Sequence, residues 1–438
     1  MRIKVLSRNP EDFCRETVND LNIIHRNFDS KLHPFQTPRE YVRAVNAAKL
    51  DRIFARPFIL SLSGHKEPVT RLRRHPTRVS WIASGSMDGV VKVWDLKSGK
   101  CLASCDSHEC ALNGLSVSSD GTHLLTSGTD CKINIFTMDE LSDADIKLKE
   151  TRIGDGAIYG LDCSRNSTIF ATGGASLRIY DLRRIEPITK YAIDETLNYL
   201  SFNQIEENIL GCTSSDRSLS LYDVRQKTKC SKIFLNMRGN AISWNPIEAN
   251  MLVLASEDSN CYIFDVRNFK NPTRCFSDHA NSVLDVDFSP TGLEFVSASY
   301  DRSIRIYSLD KKKSREVYHT KRMQRIHSVI YTADSHYVAC GSDEMNIRLW
   351  KAEASKKLGY LRPRQKGSLN YNKKLIYKYR FHPEIMRINN HRHLPRHLFN
   401  LIGKKKTEQL ATKRKIENAK LFSKTKIKQP KTVVKIED

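Results

Sequence analysis

Seven short segments recur along the chain at nearly constant spacing, and each ends in an aromatic residue. The segments read VKVW, INIF, LRIY, LSLY, CYIF, IRIY and IRLW. Their last residues are Trp94, Phe136, Tyr180, Tyr222, Phe264, Tyr307 and Trp350, at intervals of 42, 44, 42, 42, 43 and 43 residues. Apolar and polar side chains alternate in them, which is the period of a half-buried β-strand. A repeat of roughly 40 to 45 residues predicts a closed array of small β-sheets.

An acidic residue occupies the same place in most of the repeats. Five repeats have an aspartate six residues before the aromatic, namely Asp88, Asp130, Asp216, Asp258 and Asp301. Glu344 fills this place in the seventh repeat, whereas the third repeat is one residue shorter and has no acid. We expect the acid to lie in the tight turn between two strands, where a carboxylate accepts hydrogen bonds.

These features resemble the WD40 repeat family. Gly64-His65, Ser107-His108 and His279 lie 22 or 23 residues before an acid, and Trp94-Asp95 is a literal Trp-Asp pair. The resemblance implies an all-β, seven-bladed propeller over residues 58–351, closed by an outer strand from residues 58–65. It also implies a structural hydrogen-bond network within the blades, with His65, Asp88, Trp94, His108, Asp130, Asp216, Asp258, His279 and Asp301 as its members.

The same residue types invite a catalytic interpretation, which we reject. His65, Asp88 and a strand serine, Ser84 or Ser86, look like a hydrolase triad. The pattern recurs in several blades, whereas an active site occurs once, so we predict a protein that is not an enzyme. We likewise expect no cofactor and no small-molecule substrate.

A metal site is also not predicted. The eleven cysteines include no C-x-x-C pair, and Pro395 separates the only histidines with helical ligand spacing, His393 and His397.

The charge of the chain is concentrated at one end. Residues 351–438 contain 25 Lys and Arg against 6 Asp and Glu, whereas residues 1–350 contain 47 against 43. This distribution predicts a folded scaffold with a basic arm for a polyanion. No apolar run approaches the roughly 20 residues that span a bilayer, and the first residues lack a secretory signal. We therefore expect a soluble, intracellular protein without a membrane partner.

The segments outside the propeller have distinct characters. Residues 1–57 form an N-terminal extension with one predicted helix from Pro38 to Phe54, which either packs against the propeller or docks on a neighbouring protein. Residues 352–403 are basic and predicted to be mostly helical. Residues 404–438 are lysine-rich, with a long charged helix and a disordered tail as the two alternatives.

Cations interleaved with aromatic residues favour nucleic-acid contact, since cations neutralise phosphates and rings stack on unpaired bases. The alternative is a solvated face with nuclear-import signals at 404–406 and 413–415. The candidate RNA contacts are Lys373, Lys374, Tyr377, Lys378, Arg380, Arg387, Arg392, Arg396, Lys404, Lys405, Lys406, Lys413, Arg414 and Lys415.

A narrower resemblance covers nearly the whole chain. The segments SRNPEDF (7–13), PREYVRAVNAAKLDRIFARPF (38–58), SREVYHTKRMQ (314–324), CGSDEMNIRLWKAEASKKLG (340–359) and HRHLPRHLFN (391–400) are similar to the WD-repeat and Sof-domain family. The resemblance implies a factor of the nucleus and nucleolus that belongs to the small-subunit processome and associates with the U3 small nucleolar ribonucleoprotein. It implies a role in 18S pre-rRNA maturation and ribosome biogenesis, with pre-rRNA contacted directly or through proteins.

Three Asp-x-Arg elements support a different function. Arg183, Arg225 and Arg267 each follow an aspartate by two residues at the end of a repeat. This resembles the D-x-R box of propellers that act as substrate receptors of cullin-4 ubiquitin ligases, in which the arginine engages the ligase adaptor. A structural role, in which the arginine bridges adjacent strands, stays open. The ligase role is an alternative to the ribosomal one or a second activity.

Overall fold

The computed structural model describes residues 29–138, 146–226, 228–422 and 432–437. The chain divides into two compact units. The first combines Met1–Arg56 with Glu353–His393, and the second combines Pro57–Ala352 with Leu394–Asp438. The motif SRNPEDF lies outside the described residues.

The second unit contains seven antiparallel β-sheets, the blades, whose strands follow one another along the chain. Blade 1 consists of β2 (Val69–Arg74), β3 (Trp81–Ser86), β4 (Val90–Asp95) and β5 (Lys100–Asp106). Blade 2 consists of β6 (Leu112–Val117), β7 (His123–Gly128), β8 (Lys132–Thr137) and β9 (Lys147–Ile153). Blade 3 consists of β10 (Ile158–Cys163), β11 (Ile169–Gly174), β12 (Ser176–Asp181) and β13 (Thr189–Ala192). Blade 4 consists of β14 (Leu197–Phe202), β15 (Ile209–Ser214), β16 (Ser218–Asp223) and β17 (Lys229–Leu235). Blade 5 consists of β18 (Gly239–Trp244), β19 (Met251–Ser256), β20 (Cys261–Asp265) and β21 (Arg274–Phe276). Blade 6 consists of β22 (Val283–Phe288), β23 (Glu294–Ser299), β24 (Ile304–Ser308) and β25 (Glu316–Tyr318).

The seventh blade closes the ring with a strand from the start of the propeller. Its strands are β26 (Ile326–Tyr331), β27 (Tyr337–Ser342), β28 (Ile347–Lys351) and β1 (Phe58–Leu62). In the antiparallel β1–β28 pair, Leu60 lies opposite Leu349. Inner strands of neighbouring blades contact one another in order, and β26 contacts β2. The predicted seven-bladed propeller and its closing strand are thereby confirmed, and closure leaves no open blade at the junction.

The core lies between blades, which explains the aromatic period. Every repeat aromatic is on the third strand of its blade and is buried. Between blades 5 and 6, the ring of Phe276 lies 5.1 Å from those of Phe295 and Tyr307, measured between centroids. Each blade thus buries large rings against the next one, and edge-to-face contacts of this kind stabilise the packing beyond area burial.

The predicted acidic turns share one backbone conformation. The residue after the acid is left-handed in six blades, with φ between 63° and 76°, and only Gly89 among them is a glycine. The others are Cys131, Arg217, Ser259, Arg302 and Met345. In five of these turns the aspartate Oδ1 accepts the N–H two residues on, at 3.0 to 3.2 Å. This bond stabilises a conformation that costs non-glycine residues free energy. The third blade needs no acid because only Ala175 separates its two strands.

The first unit is a small helical assembly. A 3-10 turn, Ser30–Leu32, precedes α1 (Gln36–Arg52), and α2 (Pro363–Lys378) and α3 (Pro383–Asn390) come from the region after the propeller. Ala44, Val45 and Ala48 of α1 pack with Leu375 and Ile385 in one buried cluster. The buried face of the N-terminal helix is therefore covered by the C-terminal helices, a pairing that neither sequence alternative suggested.

Two further elements of the second unit follow α3. Helix α4 (Arg396–Phe422) runs across the boundary that the sequence suggested at 403/404. Strand β29 (Val433–Glu437), which the sequence interpretation missed, pairs antiparallel with the outer strand β17 and places Ile436 opposite Ile233. Val433 is buried in the cluster between blades 4 and 5. Among the described residues, no helix combines the length and apolar character that membrane crossing requires.

Candidate macromolecular interfaces

Among the described residues, blades 2 and 6 pair the repeat histidine with the aspartate of the acidic turn. His108 Nδ1 lies 2.9 Å from Asp130 Oδ2, and its Nε2 lies 2.9 Å from the Thr126 hydroxyl. His279 repeats this geometry in blade 6, at 2.9 Å from Asp301 Oδ2. Burial lowers the pKa of His279. Burial alone would raise the pKa of the Asp301 carboxyl, but His279 and further donors hold it well below its usual range. Such pairs satisfy buried polar groups and connect two loops of one blade.

Blade 1 contains the same residue types in a different arrangement. His65 Nε2 lies 2.7 Å from Ser84 Oγ, which also accepts a hydrogen bond from Trp94 Nε1 at 2.8 Å. Among the described residues His65 Nδ1 has no partner, and the Asp88 side chain accepts only the Val90 N–H. The three groups therefore do not form the relay of a hydrolase triad, which requires the acid to orient the histidine.

The acids of blades 4 and 5 use other partners. Asp216 forms an ion pair with Lys232 Nζ at 2.7 Å, and the pKa of its carboxyl is lowered to about 2: desolvation opposes this shift, but the bonds from Lys232 and two serines outweigh it. Asp258 accepts a hydrogen bond from the Tyr262 hydroxyl. The network that the family resemblance implied thus takes a different form in each of these blades, although its nine members all lie in the propeller.

His65 predicts a pH dependence of stability. Burial lowers its pKa to about 4, whereas an unfolded histidine titrates near 6.5. Because the unfolded state binds the proton more tightly, stability is full above pH 6.5 and decreases as the pH falls toward 4. Between pH 7 and pH 4.5, the free energy of unfolding should decrease by about 2 to 3 kcal/mol less in His65→Asn than in the wild type, since one pKa unit corresponds to about 1.4 kcal/mol. Chemical unfolding at both pH values measures the difference, and equal losses would contradict it.

The three predicted D-x-R arginines lie in equivalent turns of consecutive blades. Arg225 and Arg267 side chains are 70% and 73% exposed, and each donates two hydrogen bonds to its own aspartate, Asp223 or Asp265, at 2.8 to 3.1 Å. For Arg183, the backbone N–H donates to Asp181 Oδ1 at 3.0 Å. The guanidinium groups of Arg225 and Arg267 are therefore held in place while one of their faces stays accessible to a partner.

The basic residues of the C-terminal region divide between the two units. Helix α4 contains eight Lys and Arg against two Glu. Seven of the predicted contacts lie on it: Arg396, Lys404, Lys405, Lys406, Lys413, Arg414 and Lys415. All of these except Lys405 are exposed. An exposed helix with this charge attracts nucleic-acid phosphates.

Lys405 has a different role from its neighbours. Its ammonium group donates to the Ser259 hydroxyl and, at 2.7 Å, to the His279 carbonyl oxygen. Burial lowers the pKa of Lys405 despite the nearby Asp258. Lys405 thus anchors α4 to blades 5 and 6, so its predicted availability for RNA does not agree with its position.

The other predicted contacts lie in the helical unit. Tyr377 and Phe381 are exposed, and the guanidinium carbon of Arg380 lies 4.5 Å from the centre of each ring. Lys378 Nζ forms an ion pair with Glu40 Oε2 at 2.7 Å. The remaining members, Lys373, Lys374 and Arg387, are exposed, and Arg392 donates to the carbonyls of Asn389 and His391. The cluster of Tyr377, Arg380 and Phe381 offers flat, cationic surfaces on which bases can stack.

A cavity of about 490 Å³ is lined by the inner strands of the blades. Two of its arginines form ion pairs: Arg73 lies 3.0 Å from Asp162, and Arg74 lies 3.4 Å from Asp287. Arg71 covers the ring of Tyr199 at 4.8 Å. The lining also includes Arg165 and Asp285, so four arginines and three aspartates face the cavity.

Potential metal ligands are dispersed. Across the described ranges, no three His, Cys, Asp or Glu side chains come together as a metal cluster. The ten cysteines in these ranges are free thiols.

The fold and these surfaces define a WD-repeat propeller with arginine and lysine surfaces suited to macromolecular contact. Models of the WD domain G-beta repeat match residues 56–95, 99–137, 270–308 and 314–351, and the Sof1-like domain matches residues 352–436. Similar proteins are DDB1- and CUL4-associated factor 13 of Xenopus tropicalis (45% identical; 97% of this chain and 96% of that protein), of Homo sapiens (45%; 95% and 94%) and of Dictyostelium discoideum (42%; 95% and 95%). The chain belongs to the Sof1 family of WD-repeat proteins, which confirms the resemblance found in the sequence.

Proposed function

We propose that this protein is a non-catalytic scaffold of the nucleolar small-subunit processome. In this role it associates with the U3 small nucleolar ribonucleoprotein and acts in 18S pre-rRNA processing. The observation that carries the proposal is helix α4, whose exposed cations are attached to a propeller of nearly balanced charge. A rigid body with a basic helix fits assembly on RNA, because phosphate contacts position a protein without requiring chemistry.

The aromatic cluster of the helical unit supports the same proposal. Single-stranded loops of a folded RNA present bases that stack on tyrosine, phenylalanine and guanidinium planes. Tyr377, Arg380 and Phe381 provide such planes beside the exposed Lys373 and Lys374. This combination favours structured RNA with unpaired segments over a uniform duplex.

Ultraviolet crosslinking in living cells tests the proposal. The tagged protein is purified under denaturing conditions, and the attached RNA is sequenced. We expect 18S precursor sequences and U3 RNA to be enriched over an untagged strain. Depletion of the protein should also cause 18S precursors to accumulate. If neither RNA is enriched and precursor levels do not change, the proposal is wrong.

A second function is favoured by the arginine turns and by the names of the relatives. We propose that the protein also engages the DDB1 adaptor of a cullin-4 ubiquitin ligase through Arg225 and Arg267. Both guanidinium groups are exposed and preorganised by their aspartates. Preorganisation reduces the entropy that binding costs.

Substitution of both arginines tests this second role. We expect the double variant Arg225→Ala, Arg267→Ala to reduce co-purification of DDB1 by at least tenfold, since buried interface arginines are frequent hot spots. The control is Arg302→Ala, an exposed arginine in the β23–β24 turn of blade 6. Equal DDB1 recovery with all three proteins would exclude the arginines from the contact.

A further inference from the structure

We propose that the exposed side chains of Ile205, Ile247 and Leu293, here called the aliphatic ridge, form a docking surface for a protein partner together with Arg225 and Arg267. The partner that we assign to this surface is the ligase adaptor DDB1, so the inference rests on the second proposed function. It deepens that function by adding apolar residues that no D-x-R pattern contains.

The ridge is contiguous. Its three residues lie in the first turn of consecutive blades 4, 5 and 6 and are 44%, 63% and 68% exposed. The buried Asn203 donates from Nδ2 to the Ala249 carbonyl oxygen at 2.7 Å, which joins the first two turns. A Cβ placed on Gly292 would lie 3.0 Å from Ile247 Cγ1, so the third turn contacts the second. The three turns are therefore joined in a row, and each presents one large exposed aliphatic side chain at the same end of the blades.

The ridge is also held rigidly. Asn203 Oδ1 accepts the N–H of Ile205 at 3.0 Å, and Asn245 Oδ1 accepts the N–H of Ile247 at 2.9 Å. Asn245 Nδ2 donates to the Gly292 carbonyl oxygen at 3.2 Å. Buried side chains thus connect each turn to the next blade. A rigid apolar surface loses little conformational entropy when it is covered.

The arginine turns border the ridge at the same end of the blades. The Val224 N–H donates to the Asn208 carbonyl oxygen at 2.9 Å, and the Val266 N–H donates to the Asn250 carbonyl oxygen at 2.9 Å. Glu206 and Glu248, which follow Ile205 and Ile247 directly, interact electrostatically with Arg225 and Arg267, respectively.

The border has two arginines against two aspartates and two glutamates, so it carries no excess of positive charge. Aliphatic residues beside such mixed charges have the composition of a protein interface. A polyanion such as RNA would instead select an unbalanced positive surface. The composition of the ridge and its border therefore favours a protein over RNA.

Helix α4 is anchored at the opposite end of the strands. Its Lys405 contacts Ser259, in the β19–β20 turn, and His279, in the β21–β22 loop. In an antiparallel blade these connections lie at the other end from the β18–β19 and β20–β21 turns that present Ile247 and Arg267. Six residues of strand separate the two ends by about 20 Å. The adaptor and RNA therefore occupy different ends, and one does not exclude the other.

Affinity measurements on the full-length protein test the ridge. The probes are purified DDB1 and a fluorescent 20-nucleotide oligouridine. We expect Ile247→Glu with Leu293→Glu to weaken DDB1 binding by at least tenfold and to change RNA binding by less than twofold. The matched control is Ile153→Glu, which is 76% exposed and is the last residue of the blade 2 outer strand β9, next to the Cys131 turn at the α4 end. It should bind both probes as the wild type does, and melting temperatures check the fold.

The outcomes separate the two claims. If Arg225→Ala, Arg267→Ala loses DDB1 while the ridge variant retains it, the ridge is not part of the interface and the adaptor role survives. If the wild type does not bind DDB1, both are overturned. If the ridge variant loses RNA affinity as strongly as DDB1 affinity, the surface serves RNA and the assignment to a protein is wrong.

Discussion

Replacing Asp301 with alanine is expected to destabilise the propeller by about 3 to 5 kcal/mol, because each buried donor that loses its acceptor costs about 1 to 3 kcal/mol. The carboxylate is buried and accepts hydrogen bonds from His279 Nδ1 at 2.9 Å, the Ala280 N–H at 3.1 Å, and the Ser303 N–H and hydroxyl at 3.0 and 2.6 Å. Alanine leaves these donors without an acceptor in a dry site. It also removes the bond that supports the left-handed Arg302.

Asp88→Ala is the matched control for this prediction. Asp88 occupies the same turn position in blade 1, but its side chain accepts only the Val90 N–H at 3.0 Å among the described residues. Gly89 follows it and takes its left-handed φ without strain. We expect a loss of about 1 kcal/mol, the net value of one hydrogen bond. Denaturant unfolding followed by circular dichroism compares the free energies of unfolding of the two variants. Equal losses would show that the His279–Asp301 pair stabilises the propeller no more than the single hydrogen bond of Asp88 does.

Neutralising three exposed lysines of α4 is expected to reduce RNA affinity on the order of 100-fold at 0.1 M salt. For single-stranded RNA, each phosphate contact lowers the logarithm of the binding constant by roughly 0.7 for every tenfold increase in salt. Three contacts therefore contribute about two decades of affinity at 0.1 M relative to 1 M salt. The variant is Lys404→Gln, Lys406→Gln, Lys413→Gln. The slope of the logarithm of the binding constant against the logarithm of the salt concentration should become shallower by about 2. The loss of affinity is therefore larger at low salt than at high salt.

Fluorescence anisotropy with oligouridine between 50 and 300 mM salt measures both quantities. The control replaces Lys311, Lys312 and Lys313 with glutamine, because these are three exposed lysines in the β24–β25 connection of blade 6. It removes the same charge from the propeller and should leave the salt slope nearly unchanged. If both triple variants lose affinity equally, RNA senses the total charge of the protein and α4 is not its site.

The regular architecture was predictable because a repeated unit leaves a repeated pattern. Every blade buries its third-strand aromatic against a neighbour, so Trp94, Phe136 and Tyr180 follow one another at nearly constant intervals of 42 and 44 residues. The aspartates support the same turn in five blades, so they recur as well, and no acid is present in the shorter turn of blade 3. Local causes of this kind are present in every copy and are visible without coordinates.

Single contacts between distant parts of the chain were not predictable. The partner of α1 lies more than 300 residues away, where Leu375 and Ile385 cover Ala44. Strand β29 has only five residues, and its alternation of Val433, Lys435 and their neighbours is too short to predict an edge strand. Lys405 looks like any other member of a lysine run until its ammonium group is found at Ser259 and His279.

The sequence by itself determined the seven-bladed propeller, the place of its turn acids and the concentration of positive charge after residue 350. These properties depend on periodicity and composition, which a chain keeps whether folded or not. Only the tertiary structure decided that His65 and Asp88 are not paired, that Lys405 is an anchor, and that the aliphatic ridge and α4 lie at opposite ends of the blades. Each of these depends on one distance between residues far apart in the chain, and a repeat that fits every blade contains no information about contacts that occur once.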